Sequence, residues 1–116
     1  MTLNEYQKAA LTTAVYPREF KAIYPALGMA GEAGEVADKM KKIIRDTQIT
    51  RNEQGAINIE PQKATEIAKE VGDVLWYCAT LAHDLGYSLE NIAQMNIEKL
   101  QSRKRRGVLG GSGDNR

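Results

Sequence analysis

The chain has 116 residues, 42% hydrophobic and 27% charged, with a formal charge of +1, the makings of one soluble globular domain. Balanced charge argues against a dedicated nucleic-acid binder, the one strongly basic run being 103-RKRR-106, and no apolar stretch approaches a membrane span. A lone cysteine, Cys78, excludes an internal disulfide and, with no leader-like pattern in MTLNEYQKAAL, points to the cytoplasm.

In chain order, residues 3–15 repeat Leu3, Tyr6, Ala10 and Ala14 at helical spacing, and 16-YPREF-20 breaks the pattern. From about Tyr24 to Asp46 apolar residues recur near every 3.5 positions, predicting a long second helix. The segment 47-TQITRNEQGAINIE-60 has no period and reads as a loop with a short hairpin around 57-INI-59. Pro61 suits the first residue of a third helix ending at Leu85, with Gly86 as its left-handed stop. Ser88 then caps a fourth helix reaching Arg106, and 107-GVLGGSGDNR-116 forms a flexible, glycine-rich tail after a 1–106 domain. The two long helices form an antiparallel hairpin covered by the two shorter ones: an all-α, four-helix bundle-like protomer. A helical chain this short leaves much surface bare and is a candidate for oligomerisation.

The stretch 28-GMAGEAGEVADKMKK-42 holds three glycines inside a helix, each costing roughly 0.5–1 kcal/mol against alanine. At about 100° per residue, the apolar stripe centres on Ala33, Met40 and Val36. Glu32 falls at its border and Glu35 further out, one turn along. The third helix repeats the design in 70-EVGD-73, with Glu70 at the stripe's border, Asp73 one turn on, Gly72 between and Tyr77 in the same sector. If the stripes pack together, the two acid pairs face one another. Uncompensated, they would repel and raise each other's pKa values, whereas a hard divalent cation removes the conflict. The glycines would leave room for bound water and a bulky anion. Asp38 and Glu66 read as surface residues, and Trp76 and His83 as packing residues.

On the fourth helix Asn96, Lys99 and Arg103 lie on the inward side. An amide and two cations there are costly unless an anion meets them, and a phosphate chain is one candidate. Plain salt bridges to the acids, or snorkelling to solvent, would serve equally. Acids for a metal together with bases for phosphate equip a chain for phosphoanhydride hydrolysis. The alternative is a non-enzymatic α-helical interaction or nucleotide-binding protein, which leaves Asn96 and the glycines unexplained. A carboxylate-bridged di-iron bundle is rejected, since Thr80 stands three residues before the only histidine.

The ordered series 31-GEAGEV-36, 70-EVGDVLWY-77 and 96-NIEKLQSRKRRG-107 resembles the MazG-like all-α nucleoside triphosphate pyrophosphohydrolases. The resemblance covers most of the chain. It implies Mg²⁺ (Mn²⁺ also possible) on Glu32, Glu35, Glu70 and Asp73, with Glu32 and Glu35 in catalysis and one of the glutamates, Glu35 a candidate, as base. It further implies triphosphate contacts from Asn96, Lys99 and Arg103, and conversion of a (d)NTP to (d)NMP and pyrophosphate, with a leaning to deoxynucleotides. Dimers, or tetramers built from them, are the expected assembly. The tail, carrying Asp114, Asn115 and Arg116, folds over the phosphates or stays disordered.

Overall fold

The computed structural model describes residues Met1–Arg116 and is all-helical. Helix α1 spans Leu3–Leu11, α2 Ile23–Asp46, α3 Pro61–Asp84 and α4 Leu89–Arg105, with a 3₁₀ turn at Arg18–Phe20. A capping box starts α1: Thr2 Oγ1 accepts from the Glu5 N–H, and the Glu5 carboxylate accepts from the Thr2 N–H. The helix ends four residues before its expected limit. The Thr12 and Thr13 hydroxyls donate to the Ala9 and Ala10 carbonyls, competing with the backbone ladder.

Loop 47–60 closes on an antiparallel bridge between Arg51 and Ile57, with Gly55 at φ +83° in its turn. Pro61 opens α3. After α3, Gly86 takes φ +84°, its N–H bonds the His83 carbonyl, and the Tyr87 N–H bonds that of Ala82. That is a Schellman stop. Ser88 then caps α4 by accepting from the Asn91 N–H.

Packing is dominated by α2 against α3, while α1 lies on α3 and α4 meets α1 and α3. The partners run in opposite order: Met29 meets Cys78, Gly28 meets Tyr77, and Lys39 pairs with Glu70. A small core of Ala10, Ala79 and Leu89 gathers Tyr6, Trp76 and Cys78 around it. Buried Gln7 locks this junction. Its Nε2 donates to the carbonyls of Ala79 (3.1 Å) and Tyr87 (3.2 Å), and its Oε1 accepts from the Leu89 N–H at 3.0 Å. Trp76 is half-buried here, and its indole N–H donates to Thr13 Oγ1. His83 is exposed, so its expected packing role is corrected: it points off the outer side of α3.

The protomer is open. Its radius of gyration is 17.5 Å, against about 13 Å for a compact domain of this length. Its surface is 8439 Å², where a compact monomer of this mass shows roughly 6,300 Å². Much of the excess is apolar. Ile23, Leu27 and Ile44 on α2 and Val71 and Leu75 on α3 are exposed. Of the residues expected at the centre of the buried stripe, Val36 and Met40 are half-buried but Ala33 is exposed, because the arc that α2 turns toward α3 is shifted to run through Met29, Glu32, Val36, Met40 and Ile43. No helix is long and apolar enough to cross a membrane.

Candidate metal and phosphate site

Because Glu32 lies on the α3-facing arc of α2, it meets Glu70 and Asp73 directly. Carboxylate oxygens of the three lie within 4.8 Å of one another, Glu32 and Glu70 half-buried and Asp73 exposed. The one ion pair these acids make is Lys39 Nζ to Glu70 Oε1 at 3.4 Å. Partial burial first, then the charges of Asp73 and Glu70, push the Glu32 carboxyl above its ordinary value, with Glu35 adding to the push. Three hard oxygen donors, without histidine or thiolate among them, suit Mg²⁺ or Mn²⁺ rather than a softer ion.

Glu35 stands one turn along, outside the close trio and exposed. It lines an open cavity of about 310 Å³ with Asp38, Lys39, Lys42 and Glu66. Lys42 first, then Lys41, hold the pKa of the Asp38 carboxyl down to about 2. A second cavity continues from it through Ile43, Thr47 and Lys63 to Gln48, Thr50 and Asn58 of loop 47–60.

The glycines divide into two kinds. A methyl group on Gly28 would collide with the Tyr77 ring, so this glycine admits an aromatic side chain between the long helices. Gly31, Gly34 and Gly72 border open space, and nothing within the protomer requires them.

On α4, Asn96 is exposed, Lys99 half-buried and Arg103 buried. The two cations meet an anion from their own chain. Asp114 Oδ1 accepts from Lys99 Nζ at 2.9 Å and from Arg103 Nη2 at 3.2 Å. These pairs, the Lys99 contact first, hold Asp114 below its ordinary value.

Three features escaped the sequence reading. Lys39, between the acid trio and the cavity, has nothing in the sequence that sets it apart from Lys41 and Lys42. Gln7 carried no signal, because its partners are backbone groups more than seventy residues away. Asp84 has a side chain only 1% exposed and accepts from the Tyr16 hydroxyl at 2.6 Å, the Ala22 N–H at 2.9 Å and Arg18 at 3.4 Å. Arg18 also sits 4.6 Å above the Tyr16 ring, which stacks on Tyr24 at 4.8 Å.

Residues 22–108 match the family model described as the MazG nucleotide pyrophosphohydrolase domain. The chain is also 45% identical over 122 aligned positions to the "Gene 37 protein" of Mycobacterium phage L5, with 100% of both chains covered. No solved structure matches significantly.

Proposed function

The chain belongs to the MazG nucleotide pyrophosphohydrolase family, and from that premise we propose that it hydrolyses a nucleoside triphosphate, preferably a deoxynucleotide, to the monophosphate and pyrophosphate. The observation that carries this reading is the gathering of Glu32, Glu70 and Asp73 within 4.8 Å with only Lys39 to offset them. Three acids so crowded fold against their own repulsion, which a bound cation would relieve. Glu32, Glu70 and Asp73, with Glu35 adjoining, would hold Mg²⁺ or Mn²⁺. Such an ion supplies positive charge for the triphosphate oxygens and for an attacking water.

The chain's own groups do the rest. Glu35, exposed and outside the trio, is free to take the proton of the water that attacks at the α–β anhydride. Lys99 and Arg103 offset the charge that develops on the departing pyrophosphate, and Asn96 donates to a phosphate oxygen. The bare apolar faces of α2 and α3, and an excess surface of roughly 2,000 Å² over a compact monomer, support a homo-oligomer, either a dimer or a tetramer built from dimers.

The test is a panel of the four NTPs and four dNTPs with Mg²⁺, assayed separately for pyrophosphate and orthophosphate. Pyrophosphate release with at least one of them, abolished by chelation, is the expected result. Orthophosphate alone, or no turnover of any nucleotide, removes the hydrolase reading.

A further inference from the structure

Resting on the reading that Lys99 and Arg103 receive phosphate, we propose that the C-terminal tail is a built-in competitor: the Asp114 carboxylate occupies the seat of these two cations, and a polyphosphate must displace it. The contacts imitate a phosphate group. Arg103 Nη2 donates not only to Asp114 Oδ1 but also to the Asp114 carbonyl at 2.8 Å and the Gly113 carbonyl at 3.5 Å, while Lys99 Nζ takes the same carboxylate oxygen. Several oxygens thus crowd one guanidinium and one ammonium, as those of a phosphate chain would.

The tail is shaped to hold the acid there. Arg116 donates to the carbonyls of Val108 at 3.1 Å, Gly110 at 2.9 Å and Leu109 at 3.1 Å, and also to that of Gly113, curling the segment into a closed strap. Arg106 donates to the Arg116 carbonyl and pins the strap's end to the last turn of α4. Gly111 and Gly113, at φ +84° and +89°, supply the reversals that a side-chain-bearing residue resists. Asp114 lies beyond residue 108, where the family match ends.

Exposure decides which partner yields. The Arg103 side chain is 7% exposed, whereas that of Asp114 is 78% exposed. The cation is fixed by its surroundings, and the acid is the partner that solvent and competing anions can reach. An exposed ion pair holds weakly, so a ligand bringing several charges displaces it.

Inorganic tripolyphosphate, titrated by calorimetry into the full-length chain in the presence of chelator, reads the seat without requiring catalysis. Asp114→Asn is expected to bind about two- to fivefold tighter than the parent, the span one exposed ion pair can hold back, and Asp114→Glu to stay near the parent. In turnover, the KM for a nucleotide substrate should fall by the same factor in Asp114→Asn with kcat unchanged, a split that a merely structural role would not give. Equal or weaker tripolyphosphate binding by Asp114→Asn, or none by either chain, overturns the strap. Tighter binding in a protein that turns over no nucleotide would uphold the strap and remove the hydrolase reading; turnover with no difference between parent and variant would do the reverse.

Discussion

Helix α3 carries acids in two contrasting settings. Asp84, at its C-terminal end, is enclosed and accepts from a tyrosine hydroxyl, a backbone N–H and an arginine. Burial alone would raise its carboxyl, yet the Ala22 N–H, Tyr16 and Arg18 hold it below the ordinary value. Glu70 and Asp73, further up the same helix, face Glu32 with Lys39 as their only counter-ion, and Glu32 is pushed up instead. A carboxylate supplied with donors belongs to the scaffold. Carboxylates crowded together without them are the ones we propose for a cation.

The sharpest way to break this contrast is to remove one acid from each setting. Asp73→Asn is expected to lower nucleotide turnover roughly 10²–10⁴-fold, with a thermal midpoint in chelator at or above the parent's. Asp84→Ala should do the opposite. It strips Tyr16 and the Ala22 N–H of their acceptor at a cost of about 2–4 kcal/mol in urea unfolding, while the molecules that stay folded retain turnover. Equal loss of stability in both variants would erase the distinction.

The glycines offer a smaller version of the same comparison. Gly28→Ala forces a methyl into the Tyr77 ring and should cost about 1–3 kcal/mol. Gly31→Ala meets open space and should add about 0.5–1 kcal/mol of helix stability. A fall in turnover or in assembled mass for Gly31→Ala would mean that this space is used by substrate or by a second subunit.

The smallest effect is on pH. For Glu32 the folded carboxyl lies above its ordinary value of 4.5, so its repulsion is fully present at neutral pH and is relieved as acid protonates it. In chelator, stability should therefore rise as pH falls from neutral toward about 4.5, and Glu32→Gln should flatten that rise. Asp84, held below 3.8, has the opposite sign. Its contribution is complete above that value and is lost as pH falls through its folded pKa. Mg²⁺ should remove the Glu32 effect and leave that of Asp84.

Much of the fold was legible because it rests on local signals. Pro61, Gly86 and Ser88 mark helix ends through chemistry contained within a turn or two, and the long helices came out within a residue of their expected limits. The buried arc of α2 was placed off-centre, right at Val36 and Met40 and wrong at Ala33, for a physical reason: the helix carries two apolar arcs, one toward α3 and one left bare, and a single averaged stripe falls between them on Ala33. The same averaging put Glu32 at a border when it faces α3 directly. The convergence of Glu32, Glu70 and Asp73 was legible from paired spacing on two amphipathic helices. The Asp84 cluster was not, since Tyr16 and Arg18 lie more than sixty residues away in a segment without period. Nor was the seating of Asp114, which depends on carbonyls of a glycine-rich tail presenting no side-chain pattern.

Asp84 has one more consequence, a matter of leverage. Through the Ala22 N–H it clasps the start of α2 to the end of α3, whereas at the opposite extremity only the segment 47–60 joins the two rods. Any splaying of the pair would pivot at this clasp. From Asp84 back to Asp73 is about 16 Å along the axis, against about 35 Å for the full rod, so the acids travel roughly half as far as the far tips do. A gape of 2 Å or so at the tips would become about 1 Å where the carboxylates meet.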